Sequence, residues 1–172
     1  MSFLGVQLIG ALGYSILSFS YFKKEKLQIL FLQMISYVFF TIHYYLLSGI
    51  TGAMCNLLGL IALLFIYIFE KYNIGNKKIL LFIIIPLLFE ITFITYDNIF
   101  SIFPMISSIV VILSFFTTNE DIIRFIGIIA AICWLIYAIV YHSFVAVAFE
   151  VITLLSVTVA FFKNYFKIVK KR

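Results

Sequence analysis

Within FFTIHYYLLSGITGAMCNLLG, at 39–59, an imidazole, an amide and several hydroxyls interrupt an apolar run: Thr41, His43, Ser48, Thr51 and Asn56. A second stretch, CWLIYAIVYHSFVAVAFEVIT from residue 133, carries Trp134, Tyr137 and Glu150. In hydrocarbon an amide or carboxylate is costly unless it meets a partner or water, so Asn56 and Glu150 are expected to face an interior. There Glu150 can bind a cation, a proton or a hydroxylated solute, and Asn56 can orient it with one donor and one acceptor. Both residues also suit plain helix packing. His43 can act as a proton-sensitive donor or as a neutral hydrogen-bonding group. Trp134, one turn before Tyr137, offers a flat wall for a planar solute, or forms part of an aromatic packing stripe.

Glu90 is a further intramembrane carboxylate, suited either to coupling or to tying its helix to the bundle. Gln7 and Gln33 fit interhelical hydrogen bonds. Gly10, Gly13, Gly49, Gly52, Gly59 and Gly127, with Ser18 and Ser114, permit close helix approach. Arg124 follows Glu120 and Asp121 at ion-pairing spacing near a helix start. Cys55 and Cys133 lie in apolar runs and match neither a metal-ligand nor a redox spacing. One imidazole without spaced partners makes no metal site. No phosphate loop, dinucleotide fingerprint or metalloprotease helix is present, and no Ser, His and Asp set reads as a triad. The expectation is therefore no enzyme, no catalytic residue, no cofactor and no metal.

The solvent that makes these residues notable follows from composition. Of 172 residues 65% are hydrophobic and 11% charged, against roughly a quarter charged in a soluble domain. A soluble chain of this size has too much surface to hide so much Ile, Leu and Phe, whereas a bilayer removes the problem. The net charge of +5 comes from short clusters between apolar runs, which argues for membrane topology and against nucleic acid. The start of the chain lacks a basic stretch and a cleavage site, so its first apolar segment is expected to stay as a spanning helix.

Seven segments approach the length of a span: Phe3 to Phe22, Leu27 to Leu47, Ile50 to Phe69, Ile79 to Tyr96, Asn98 to Thr118, Ile122 to Tyr141, and Ser143 to Phe162. The apolar runs are continuous, unlike the alternation of a membrane barrel. Seven spans put all 12 Lys and Arg on one side, which predicts a cytoplasmic C-terminus and an outside N-terminus. Lys163, Lys167, Lys170, Lys171 and Arg172 hold the tail in the cytosol or attract anionic lipid.

The segment LSFSYFKKEK at 17 can be laid on LSFFTTNEDI at 113. With a two-residue slip the two polar stretches follow, pairing His43 with Tyr137 and Asn56 with Glu150. The expected fold class is all-α, a polytopic membrane bundle of seven transmembrane helices arranged as three-plus-one-plus-three parallel repeats. Its divisions are 1–72, a first three-helix repeat; 73–97, a linker helix containing Pro86; 98–163, a second repeat; and 164–172, a basic cytoplasmic tail.

LSFSYFKKEK, IHYYLLSGITGAMCNLLG and WLIYAIVYHSFVAVAFEVIT together resemble the bacterial inner-membrane proteins of the YgjV family over nearly the whole chain. The three-plus-one-plus-three order also resembles the SWEET sugar transporters, a likeness that implies alternating access and a central asparagine-type site at Asn56 and Glu150. The chain departs from that pattern in having no Pro-Gln pair, and in placing Gly10 and Gly13 in the first span where Pro104 of the fifth has no counterpart. These features predict a small-solute transporter or facilitator with His43, Asn56, Trp134, Tyr137 and Glu150 along its pathway and Glu90 in a coupling or structural role. The alternative is a non-transporting protein that stabilises or regulates a membrane partner. The expected partners are the lipid bilayer, a small polar solute and a second copy of the chain, without nucleic acid.

Overall fold

In the computed structural model the residues described are 2–75, 78–114, 116, 117 and 119–169, without the side chains of 120, 121, 160, 161 and 163–169. They form seven α-helices: α1 Phe3–Ser20, α2 Lys26–Leu46, α3 Ile50–Tyr72, α4 Ile79–Ile94, α5 Ile102–Ser114, α6 Glu120–Val140 and α7 Phe144–Val169. A 3-10 turn, Ile99–Ser101, leads into α5. No strand occurs among the described residues. Helix pairs α1–α2, α2–α3, α5–α6 and α6–α7 pack as antiparallel neighbours, α4 packs on α3 and α5, and α1 meets α7, so the order of neighbours closes into a ring.

The expectation of seven transmembrane helices in a SWEET-like three-plus-one-plus-three order is overturned. Among the described residues only α1, α2, α3 and Ile122–Val140 of α6 are long and apolar enough to cross a membrane; Ile79–Ile94, Ile99–Ser114 and Phe144–Val159 are shorter apolar helices. Counting apolar letters overestimated α4 and α5 because turn residues belong to the same runs, whereas α7 itself runs on to Val169 and Phe144–Val159 is its described apolar stretch. At about 1.5 Å per residue a helix the length of α4 extends roughly 24 Å, short of a hydrocarbon core of about 30 Å. Thr95 closes α4, and Asn98 caps the 3-10 turn by accepting a hydrogen bond from Phe100 N.

The turns at 47–49 and 141–143 are built alike. Ser48 and His142 adopt left-handed backbone, with φ of 63° and 54°. Gly49 N donates to Tyr44 O and Ser48 N to Tyr45 O, while Ser143 N donates to Ala138 O and His142 N to Ile139 O. Each is a Schellman closure that satisfies carbonyls a helix end otherwise leaves open. This local match follows the pairing of His43 with Tyr137, each three residues before the last residue of its helix.

Glycine sets how closely the helices approach. A Cβ on Gly10 would stand 2.8 Å from the His43 ring, one on Gly13 2.8 Å from Phe40, and one on Gly59 2.3 Å from Tyr37. On Gly52 it would lie 2.4 Å from Tyr137, whereas on Gly127 it would meet Val157 at an ordinary 3.4 Å. Gly52→Ala is accordingly expected to cost about 1–3 kcal/mol by overpacking, and Gly127→Ala to stay within about 0.5 kcal/mol of the wild type. Thermal unfolding of the two purified variants in detergent checks the difference.

Candidate functional site

The ends of the bundle differ in chemistry. One carries Lys23, Lys24, Lys26, Lys71 and Lys78, with Lys26 paired to Glu70 across α2 and α3 at 2.7 Å. The opposite end, formed by the start of α1 and the turns at 47–49, 95–98 and 141–143, has no Lys or Arg.

At that end the polar groups close on one another. His43, fully buried, lies between Val6 O, 2.8 Å from its Nδ1, and Ser143 Oγ, 2.7 Å from its Nε2. A carbonyl only accepts, so Nδ1 carries the proton and Nε2 accepts from the Ser143 hydroxyl. Ser143 is also the N-cap of α7, accepting from Ala146 N. Gln7 donates from Nε2 to His142 O at 3.0 Å and accepts from Val145 N at 3.2 Å, so it completes the same turn. Tyr137, also fully buried, accepts from Gly52 N at 2.9 Å, filling one of the open donors at the start of α3. Thr51 donates to Thr95 O at 2.7 Å, joining α3 to α4. Outside the spans, Asp97 accepts from Ser101 and from Tyr141, and Asn98 donates to Tyr141.

Beneath this seal lies a cavity of about 600 Å³ between α1, α2, α6 and α7, with Val111 of α5 reaching it. Tyr21, Ile123 and Arg124 lie at the end of the lining nearest the basic face, while Tyr44, Trp134 and Glu150 lie deeper. Glu150 reaches the cavity from the second turn of α7 and accepts from Tyr14 at 3.0 Å. Trp134 stacks on Tyr44, with centroids 5.3 Å apart, and Tyr14 on Phe149 at 4.7 Å. Two lining residues, Gln33 and Tyr44, hold side-chain oxygens that are enclosed by the protein rather than open to the cavity.

The structure thus brings Trp134 and Glu150 to one space and sends the other expected residues elsewhere. Asn56 does not line the cavity; its Nδ2 donates back to Gly52 O, four residues earlier in its own helix, at 2.9 Å. His43 and Tyr137 belong to the seal. Glu90 is exposed on the outer face of α4, beside Phe82, Phe89 and Phe93, of which Phe82 and Phe93 are more than four-fifths exposed. Gln33, Tyr44 and Tyr14 were missed as site residues, since an aromatic or amide in an apolar helix looks the same whether it faces a packed core or a cavity. The expected pairing of Arg124 with Glu120 and Asp121, and the five basic residues of the tail, involve side chains outside those described. Cys55 and Cys133 are free and buried, and no group of ligating side chains suited to a metal occurs among the described residues.

An apolar helical bundle with four helices fit to cross a bilayer and an aromatic-walled internal cavity defines a polytopic membrane protein. The family of bacterial inner membrane proteins designated Imp-YgjV matches residues 4–168, and the chain belongs to that family. It is therefore a multi-pass protein of the bacterial inner membrane. No curated protein and no solved structure matches the chain.

The clip at Asp97 has a definite pH response. Burial raises the pKa of its carboxyl, but hydrogen bonds from Ser101 and Tyr141, with backbone N–H groups, lower it by more, and the net direction is below 3.8. A carboxyl depressed by folding contributes stability above its unfolded pKa and loses it as pH falls through the folded one. Melting temperatures in detergent across acidic pH should fall more steeply for the wild type than for Asp97→Asn.

Proposed function

We propose that the protein is a small-solute transporter or facilitator whose pathway includes the cavity between α1, α2, α6 and α7. One observation carries this reading: the bundle keeps about 600 Å³ of space beside a carboxylate, Glu150, whose one hydrogen bond among the described residues comes from Tyr14. A purely structural bundle gains nothing from such a space, because empty volume destabilises. The size suits a small ligand. The basic residues support a cytoplasmic placement of the end nearest Tyr21 and Arg124, with the N-terminus outside and the C-terminus inside. Passage to the other side then requires the His43–Ser143 and Gln7 contacts to open. No catalytic step is assigned, and Glu90 takes no part in the pathway.

A second reading, a non-transporting protein that stabilises a membrane partner or a second copy of itself, is favoured by α4. Its outward face sets the exposed Glu90 among exposed phenylalanines, a costly arrangement against lipid. The two readings separate in proteoliposomes offered a panel of radiolabelled small polar solutes. The transporter reading expects uptake of at least one solute, reduced about tenfold or more by Glu150→Ala and little changed by Glu90→Gln. Absence of uptake across the panel, together with Glu90-dependent crosslinking to a partner, would leave only the second.

A further inference from the structure

The chemistry that the cavity lacks is specific. Glu150 is an acceptor whose only hydrogen bond comes from Tyr14, and no Lys, Arg or His lies within ion-pairing distance of it among the described residues. Arg124 lines the same cavity but stands ten residues from Trp134 along α6, about 15 Å at 1.5 Å per residue, and has an interaction of its own. The deep end therefore asks for hydrogen-bond donors and for positive charge. Its walls are aromatic: Trp134 stacks on Tyr44, and Tyr14 on Phe149, and ring faces attract cations.

We infer that the deep end of the cavity binds a small organic cation, a primary ammonium with an apolar or aromatic body. The ammonium sits at Glu150, and the body lies against Trp134 and Tyr44. An ammonium supplies three donors and one charge in a single group. A neutral hydroxylated solute supplies donors but leaves the carboxylate uncompensated, and an anionic one meets it head-on. This inference deepens the transporter reading and relies on it for the cavity's use, although binding and movement are measured separately.

Trp134 is the only tryptophan in the chain, so its emission reports occupancy directly. The full-length protein in zwitterionic lipid nanodiscs is titrated with three ligands of one shape: 2-phenylethylammonium, 2-phenylethanol and phenylacetate. The expected result is a saturable change with the ammonium compound, binding at least about tenfold tighter than the alcohol, and no saturable change with phenylacetate. Glu150→Gln is expected to weaken the cation by about tenfold and to erase its preference over the alcohol. Equal affinity for the alcohol, tighter binding of phenylacetate, no saturable response to the cation, or an unchanged preference in Glu150→Gln would each overturn the inference. If Glu150→Gln does not fold, the three-ligand comparison in the wild type decides alone. A protein that binds the ammonium compound in this way but moves it across no liposome keeps the site and loses the transporter reading. Uptake of a neutral or anionic solute without ammonium binding does the reverse.

Discussion

Inside a bilayer no water is at hand to complete a hydrogen bond, so every polar group buried in the bundle must find its partner within the protein. At the end that lacks Lys and Arg that requirement is met densely. One imidazole joins α1 to the α6–α7 turn, one glutamine amide completes the start of α7, and one tyrosine hydroxyl completes the start of α3. Each contact crosses between helices distant in sequence, and the glycines at 10 and 52 bring the backbones close enough to make them. Because that end is satisfied, the carboxylate below it, Glu150, with a hydrogen bond from Tyr14 and no basic partner among the described residues, becomes informative.

The resulting molecule is asymmetric along its long axis. The basic end is lined with snorkelling side chains suited to lipid headgroups, such as Lys23 over the Phe19 ring. The opposite end lacks Lys and Arg among its described residues and is cross-linked by hydrogen bonds. Two of the helices, α4 and α5, are too short for a full span, and they pack together with α3, only Val111 of α5 among their described residues reaching the cavity. Their role is to complete the ring of neighbours, while α1, α2, α6 and α7 enclose the space.

Much of this was legible in the letters, and the rest failed for physical reasons. Helix order, the all-α class and the separation of charge follow from apolar runs and Lys/Arg placement, which act over whole segments. Helix length did not follow, because residues such as Tyr96 and Ser143 continue an apolar or small-residue run while serving as turn or cap. The likeness of the two turns was visible in the pairing of His43 with Tyr137, and their shared hydrogen-bond pattern gives it a structural basis. The site was only partly readable. Glu150 and Trp134 stand out by type, but Asn56 lies among small neighbours in α3 and satisfies itself on Gly52 O. That choice depends on rotation about the helix axis, and a polar residue's identity alone does not encode it.

The central claim is a hydrated cavity reached from the basic end and sealed by His43 and Ser143 at the other. Quenching of Trp134 emission by caesium, a water-soluble cation that does not cross membranes, tests it in sealed vesicles of each orientation. The account predicts quenching when caesium is added on the side of the basic end, and none from the side of the His43 seal. Quenching from the sealed side, or quenching only by brominated lipid, would contradict it.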